Sequence, residues 1–287
     1  MKIISISKKR FEKLQELKLP REVLNTEAMM YEFSYMGKEK ILKHLYILNG
    51  STFANKLYTL EMLDNYKKYL PHNFYIPDYL CSIDGKISAF TIPKIEGINL
   101  STILTSKDID YKEQLYYLRK VGEILRQLEY IRNNTELKDI YLNDLHDSNF
   151  IVDLYSRELK VIDLDSCKIG TNDPNSARFL TAYALLNYVN KYNVTDDENA
   201  PAYVIADENS DLYCYSIMIL NYIFGKKINS ISIDDFYRHL NYLDTIGVSK
   251  KLTRILSKIV ADCDNENPMD YIETLTERQL IKTRMFK

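Results

Sequence analysis

The stretch Asp144-Leu145-His146-Asp147-Ser148-Asn149-Phe150-Ile151-Val152, followed shortly by Val161-Ile162-Asp163-Leu164-Asp165, constrains this chain more than any other. A polar loop carrying Asp144 and Asn149 runs straight into an apolar strand, Phe150-Ile151-Val152. Lys160-Val161-Ile162 reads as a second strand ending at Asp163. Paired as a hairpin, these strands bring Asn149 and Asp163 close together, with Asp144 beside them. Three oxygen-bearing side chains converging at a loop can position a hydroxyl and hold Mg²⁺ on a polyphosphate, since Mg²⁺ takes oxygen ligands and shares them with phosphates. Asp and Asn are common in turns, and an isolated Asp-x-Asp says little. The weight lies in both spacings and both strands occurring together.

Size and charge narrow the classes further. With 287 residues and a 46% apolar fraction, the chain can bury substantial cores. A net charge of −2 gives no bulk electrostatic case for nucleic acid or an anionic membrane. No apolar run reaches the length of a membrane span, and Met1-Lys2-Ile3-Ile4-Ser5 is charged too soon for a signal peptide. Cys81, Cys167, Cys214 and Cys263 are scattered without a Cys-x-x-Cys, so neither a zinc site nor a disulfide framework is expected. A soluble, cytoplasmic protein is expected, and oligomeric state is not readable.

Residues 1–19 have Phe11, Leu14, Leu17 and Leu19 at roughly helical intervals, which predicts an amphipathic lead-in helix. Met30 to Tyr35 alternates as a strand, Met36-Gly37-Lys38-Glu39 makes a turn, and Lys40 to Leu45 is the return strand. A helix capped by Ser51 or Thr52 is expected to run to about Tyr69, before Pro71. Asp84-Gly85 marks a hairpin between the strands around residues 76–83 and 87–92. From Tyr111 to about Arg132, Leu115, Leu118, Val121, Leu125, Leu128 and Ile131 fall at spacings of three and four, the core face of a long helix. Residues 233–243, 250–260 and 268–282 read as three more helices.

The run Leu142-Asn143-Asp144-Leu145-His146-Asp147-Ser148-Asn149, then Asp163-Leu164-Asp165, resembles the H-R-D-L-x-x-x-N and D-F-G loops of the protein kinase superfamily. The resemblance covers about residues 23–225. It implies an α+β, two-lobed protein kinase-like fold: a small antiparallel sheet lobe with one helix, residues 1–95, and a larger, mainly helical lobe, residues 96–287. It further implies transfer of the γ-phosphoryl of ATP, with Mg²⁺, to a hydroxyl on a protein or a small molecule. Asp144 would be the catalytic base, and Asn149 and Asp163 the metal ligands. Lys40-Ile41-Leu42-Lys43 looks like the V-A-I-K strand, with Lys43 on the phosphates and Glu61, on the following helix, as its partner. Pro93-Lys94-Ile95-Glu96-Gly97 resembles the hinge, where the Pro93 carbonyl and the Ile95 amide would read adenine.

Several departures sharpen the expectation. Asn25 to Met29, where a glycine-rich phosphate loop should lie, contains no glycine. Asn143 replaces the arginine that receives a phosphorylated activation loop, so activation by such phosphorylation is not expected. His146 and the Asp-Leu-Asp are similar to aminoglycoside and choline kinases, and His146 could donate to the transferring phosphoryl group. Asn209 to Leu220 resembles the S-D-V-W-S helix of protein kinases, with Asp211 accepting from the catalytic loop backbone. That helix favours a protein Ser/Thr kinase over a small-molecule kinase. The missing glycines leave a nucleotide-binding pseudokinase as the reading from another class.

Overall fold

The computed structural model describes residues 1–17, 27–171, 206–228, 231–262 and 266–286. The fold is mixed α+β: a five-stranded sheet formed by the first part of the chain, followed by a mainly helical region. The sheet order is β1 (Lys2–Ile6), β4 (Tyr79–Ile83), β5 (Lys86–Pro93), β3 (Lys38–Leu45), β2 (Ala28–Tyr35). β2 and β3 pair antiparallel from Ala28↔Leu45 to Tyr35↔Lys38, and the turn between them uses positive φ at Met36 and Gly37. The expected Asp84-Gly85 turn joins β4 to β5, again with positive φ at both residues, the geometry that suits a two-residue hairpin.

The lead-in differs from the expectation. The described part of the lead-in, residues 1–17, is not one helix: Lys2–Ile6 is a strand and within these residues only Lys8–Phe11 (α1) is helical. β1 pairs parallel with β4, so the sheet is not wholly antiparallel. Ile4 and Ile6 point inward with the period of two that a half-buried strand requires.

α2 (Gly50–Tyr66) begins at Asn49 rather than at Ser51 or Thr52, and Asn49 makes no side-chain cap. The helix straddles two interiors. Leu60 packs with Ala28, Leu45 and Phe90 under the sheet, while Leu63 belongs to the large core of the helical region. At Gly170, which has φ +63°, an added Cβ would lie 2.9 Å from Met62 Cε and 3.3 Å from Tyr58 Oη, so α2 sits hard against this position.

Residues 94–96 lead from the sheet into β6 (Gly97–Asn99), α3 (Leu100–Thr105) and α4 (Tyr111–Asn134). β6 lies beside β8 (Phe150–Asp153), which pairs with β9 (Leu159–Val161). A Cβ at Gly97 would come within 2.6 Å of the Val152 carbonyl oxygen, which explains glycine there. α4 is capped by Asp110, whose side chain accepts from Lys112 N at 2.7 Å. Its buried face includes Leu115, Leu118, Val121, Leu125, Leu128 and Ile131, the periodic set of the sequence.

β7 (Ile140–Tyr141) pairs with β10 (Lys168–Ile169) and holds the two ends of the segment between them together. α5 (Glu208–Phe224) opens with a capping box of Asp207 and Ser210 and closes at Gly225, φ +61°. Its buried Tyr215 donates to the Leu118 carbonyl at 2.9 Å, and Tyr222 donates to Gln114 Oε1 at 3.0 Å, joining α5 to α4. α6 (Ile233–Thr245) and α7 (Lys250–Asp262) follow. The expected helix over 268–282 is two helices, α8 (Met269–Ile272) and α9 (Glu277–Met285). Thr276 starts α9 with a capping box to Gln279, which interrupts the run. Residues 172–205, which follow the Asp163-Leu164-Asp165 run, lie outside the described residues.

Candidate active site

The hairpin does what its sequence requires. Phe150 stands opposite Val161, and Ile162 N donates to the Asn149 carbonyl at 2.9 Å. Asp163 therefore follows directly beside Asn149. It adopts a left-handed conformation, φ 61° and ψ 39°, and Asn143 does the same with φ 62°. Such backbone costs a side-chain-bearing residue on the order of 1 kcal/mol, less for Asn and Asp. Positions that bear it beside a cluster of polar groups are candidates for function.

Asp144 and Asn149 are both buried. The Asn149 amide nitrogen donates to the Asp144 carbonyl at 2.9 Å and to Asp144 Oδ2 at 3.1 Å. His146 Nε2 lies 3.3 Å from Asp144 Oδ1. Burial works against the imidazolium, but the hydrogen bond and charge of Asp144 outweigh it, so the His146 pKa is raised. Asp144, His146 and Asn149 thus form one connected group on the loop.

The loop is held from below. Asp211, on the first turn of α5, accepts from Leu142 N at 2.8 Å and from Asn143 N at 2.9 Å. Burial pushes its carboxyl up to about 7, against the pull of those two N–H donors. Asn143 donates to the Ser166 carbonyl at 3.0 Å and so ties this loop to the Asp-Leu-Asp turn. Asn99 Nδ2 donates to the Ser148 carbonyl at 2.8 Å, fixing the loop to the strand that follows the sheet.

The sheet reaches the same place through Lys43, whose ammonium pairs with Asp163 and lies 3.0 Å and 3.2 Å from the two carboxylate oxygens of Asp165. Lys43 is 3% exposed and sits over the Phe90 ring. Burial disfavours its charge, yet the two carboxylates prevail and raise its pKa above the ordinary lysine value. Burial pushes Asp163 up to about 7, with Asp165 adding to the rise and Lys43 opposing it. Burial acts the same way on Asp165, but Lys43 and Lys56 overcome it and hold this carboxyl well below the usual range. The Asp163 side chain keeps 28% exposure, the open side of the group.

Glu61 is corrected by this geometry. It is exposed on α2, and the carboxylates on Lys43 are Asp163 and Asp165. The helix turns Leu60 and Leu63 inward, which carries Glu61 to solvent. The α2 residue that reaches the cluster is Lys56, 2.7 Å from Asp165 Oδ2 and 2.5 Å from Glu27 Oε2. Sequence reasoning quoted Asp165 without giving it a partner and did not single out Lys56. A lysine on a helix with a mixed face carries no signal of its own. Pro93 ends β5, three residues beyond Phe90, the register partner of Lys43, and Ile95 lies in the linker that follows. The hydrogen bonds and ion pairs of the cluster itself do not include them.

The chain matches no protein-family model, and no curated protein matches it.

Proposed function

We propose that the chain is a phosphotransferase with a two-lobed, protein kinase-like arrangement that moves the γ-phosphoryl of ATP, with Mg²⁺, onto a hydroxyl. The observation that carries this reading is the meeting of Lys43, from the sheet, with Asp163, beside a loop in which Asp144, His146 and Asn149 are joined. The lobes would be residues 1–95 and 96–287, with Pro93 and Ile95 reading the adenine between them.

The donor set suits Mg²⁺. The Asn149 amide nitrogen is committed to Asp144, which leaves its carbonyl oxygen as the atom to accept a cation, and Asp163 is open on one side. Among the described residues, no group of three or more His, Cys, Asp and Glu could hold a metal unaided. An ion at Asn149 and Asp163 would take its other ligands from water and phosphates and would offset charge on the phosphoryl oxygens. Lys43 would bind phosphate oxygens. Asp144, oriented by Asn149 and His146, would align the acceptor hydroxyl and receive its proton. His146, whose pKa its contact with Asp144 raises, would face the transferring group as a donor.

A protein hydroxyl is the first acceptor reading, because Asp211 supports the loop backbone as the large-lobe helix of protein kinases implies. A small hydroxylated acceptor is the second, favoured by the contact between His146 and Asp144. The test is incubation with γ-labelled ATP and Mg²⁺, beside α-labelled ATP, for the native protein and for Asp144→Asn and Asp163→Ala. Label transferred from the γ position only, to the protein or to an added hydroxyl acceptor, and reduced about 10²- to 10⁴-fold in Asp144→Asn, supports the reading. Nucleotide binding without transfer to any acceptor points instead to a regulatory pseudokinase, and transfer of α-label to nucleotidyl chemistry. No binding of Mg·ATP at all overturns the nucleotide reading.

A further inference from the structure

The cluster contains more charge than the proposed transfer uses. Glu27, Lys56, Asp165, Lys43 and Asp163 form a row of alternating sign. Glu27 stands just before β2, Lys56 on α2, Asp165 in the turn after β9, and Lys43 on β3. Asp165 is the middle of the row, with a side chain 1% exposed, and it takes both ammonium groups. Its shorter contact is with Lys56, at 2.7 Å to Oδ2, against 3.2 Å from Lys43 to the same atom and 3.0 Å to Oδ1.

Lys43, Lys56 and Asp165 are nearly shut off from water, so their charges must be offset chiefly by their neighbours, whereas Glu27 and Asp163 stand at the two partly exposed ends of the row. The five groups together carry two positive and three negative charges when all are ionised. If Asp163 turns to a metal ion, Lys43 is left facing Asp165 alone. A buried carboxylate with a single ammonium would draw that ammonium into a neutral pair, with little charge left for an incoming phosphate. Lys56 changes this outcome, because it offsets Asp165 from the other side. The Lys43 ammonium then keeps a net positive field towards the open side of Asp163.

We propose that Lys56 is a positioning residue that acts through Asp165, holding that carboxylate so that Lys43 remains able to receive the phosphates of a bound nucleotide. The tie between α2 and the sheet lysine is therefore made by a lysine on the helix and an aspartate in the turn, with Glu27 fastening the approach to β2 to the same ammonium. Glu27, directly before β2, is thereby anchored to the Lys56 ammonium. The inference rests on the phosphotransferase reading and names how its phosphate site is tuned.

The experiment is a double-mutant cycle read by calorimetric binding of Mg·ATP and of adenosine. Lys56→Met should weaken Mg·ATP about ten- to a hundredfold, the range for a residue that orients a direct ligand. Adenosine affinity should change by less than about twofold, as should the effect of Lys56→Met when introduced into Asp165→Asn, because the carboxylate it restrains is then absent. Lys56→Arg should retain most of the affinity. Thermal melting identifies any variant that fails to fold, and Lys56→Gln, which keeps a donor to Asp165 without the charge, then replaces Lys56→Met with the same loss expected. Native protein that binds Mg·ATP while the neutral Lys56 variants bind it equally well overturns the inference alone. An equal loss for adenosine and Mg·ATP, or full additivity with Asp165→Asn, also overturns it. Native protein that binds no Mg·ATP overturns the nucleotide reading, and this inference with it.

Discussion

The sheet that carries Lys43 and the helices that carry Asp211 bury their apolar residues in different ways. The sheet divides its interior into two small groups on opposite faces. Ile4, Ile6, Phe33, Leu42, Cys81 and Ala89 form one, and Ala28, Leu45, Leu60 and Phe90 the other, under α2. The helical region has one continuous core running from Leu63 on α2 to Leu280 on α9. Charge is divided as well: the sheet contributes the Lys43 ammonium, and the chain after the sheet contributes the carboxylates of Asp144, Asp163 and Asp165. A loss in a divided interior is absorbed locally, whereas a loss in a continuous one is shared by every helix that packs on it.

That contrast can be broken most directly at Leu220, fully buried in α5. Leu220→Ala should destabilise by about 3 kcal/mol through lost transfer energy and a cavity, seen as a lower urea midpoint. Hydrogen exchange should then speed up throughout α4 and α5. In the sheet, Ile6→Val should cost about 1 kcal/mol, with faster exchange confined to β1 and β4. Equal and global effects from both would show that the sheet is not the more separable part.

The support beneath the loop offers a second comparison. Asp211→Ala leaves the Leu142 and Asn143 N–H groups without their acceptors, and should cost about 2 kcal/mol by denaturant unfolding. Gly170→Ala forces a side chain into φ +63° and against Met62, and should cost about 1 kcal/mol. It should also weaken Mg·ATP binding by displacing α2, whereas Asp211→Ala acts on the loop.

The smallest effect is one of pH. The folded-state pKa of His146 is raised, so its contact with Asp144 contributes stability that is fully present below the ordinary histidine pKa of about 6.5. That contribution is lost as pH rises through the folded value. The stability difference between native protein and His146→Asn should therefore be larger at acidic than at alkaline pH. A difference that grows with pH would show that the imidazole is held neutral.

Much of this was legible because it is local. The β2–β3 and β4–β5 hairpins follow from alternation and turn residues, and α4 from its spacing of three and four. The loop and hairpin from Asp144 to Asp163 were readable for the same reason. What failed depends on distant partners. β1 has only five residues, and its pairing with β4 leaves no mark near it in the sequence, while the spacing of Phe11 and Leu14 imitates a helix. The choice between Lys56 and Glu61 turns on the rotation of α2, which Leu60 and Leu63 set by packing against two different interiors. Thr276 and Gln279, by contrast, were a visible capping pair, and reading it would have divided the last helix correctly.

The parallel pairing of β1 with β4 has a consequence for how the protein is made. β1 leaves the ribosome before β2, β3 and α2, yet among the described residues its one neighbour in the sheet is β4, which comes after all of them. Until then Ile4 and Ile6 have no place in the interior, and the strand must wait as an unpaired apolar segment. The long loop that closes between them carries an entropic cost before any contact offsets it. Docking of β1 is thus a late event in synthesis, and the interval before it is when the nascent chain is most open to holdase chaperones and to mispairing with another copy.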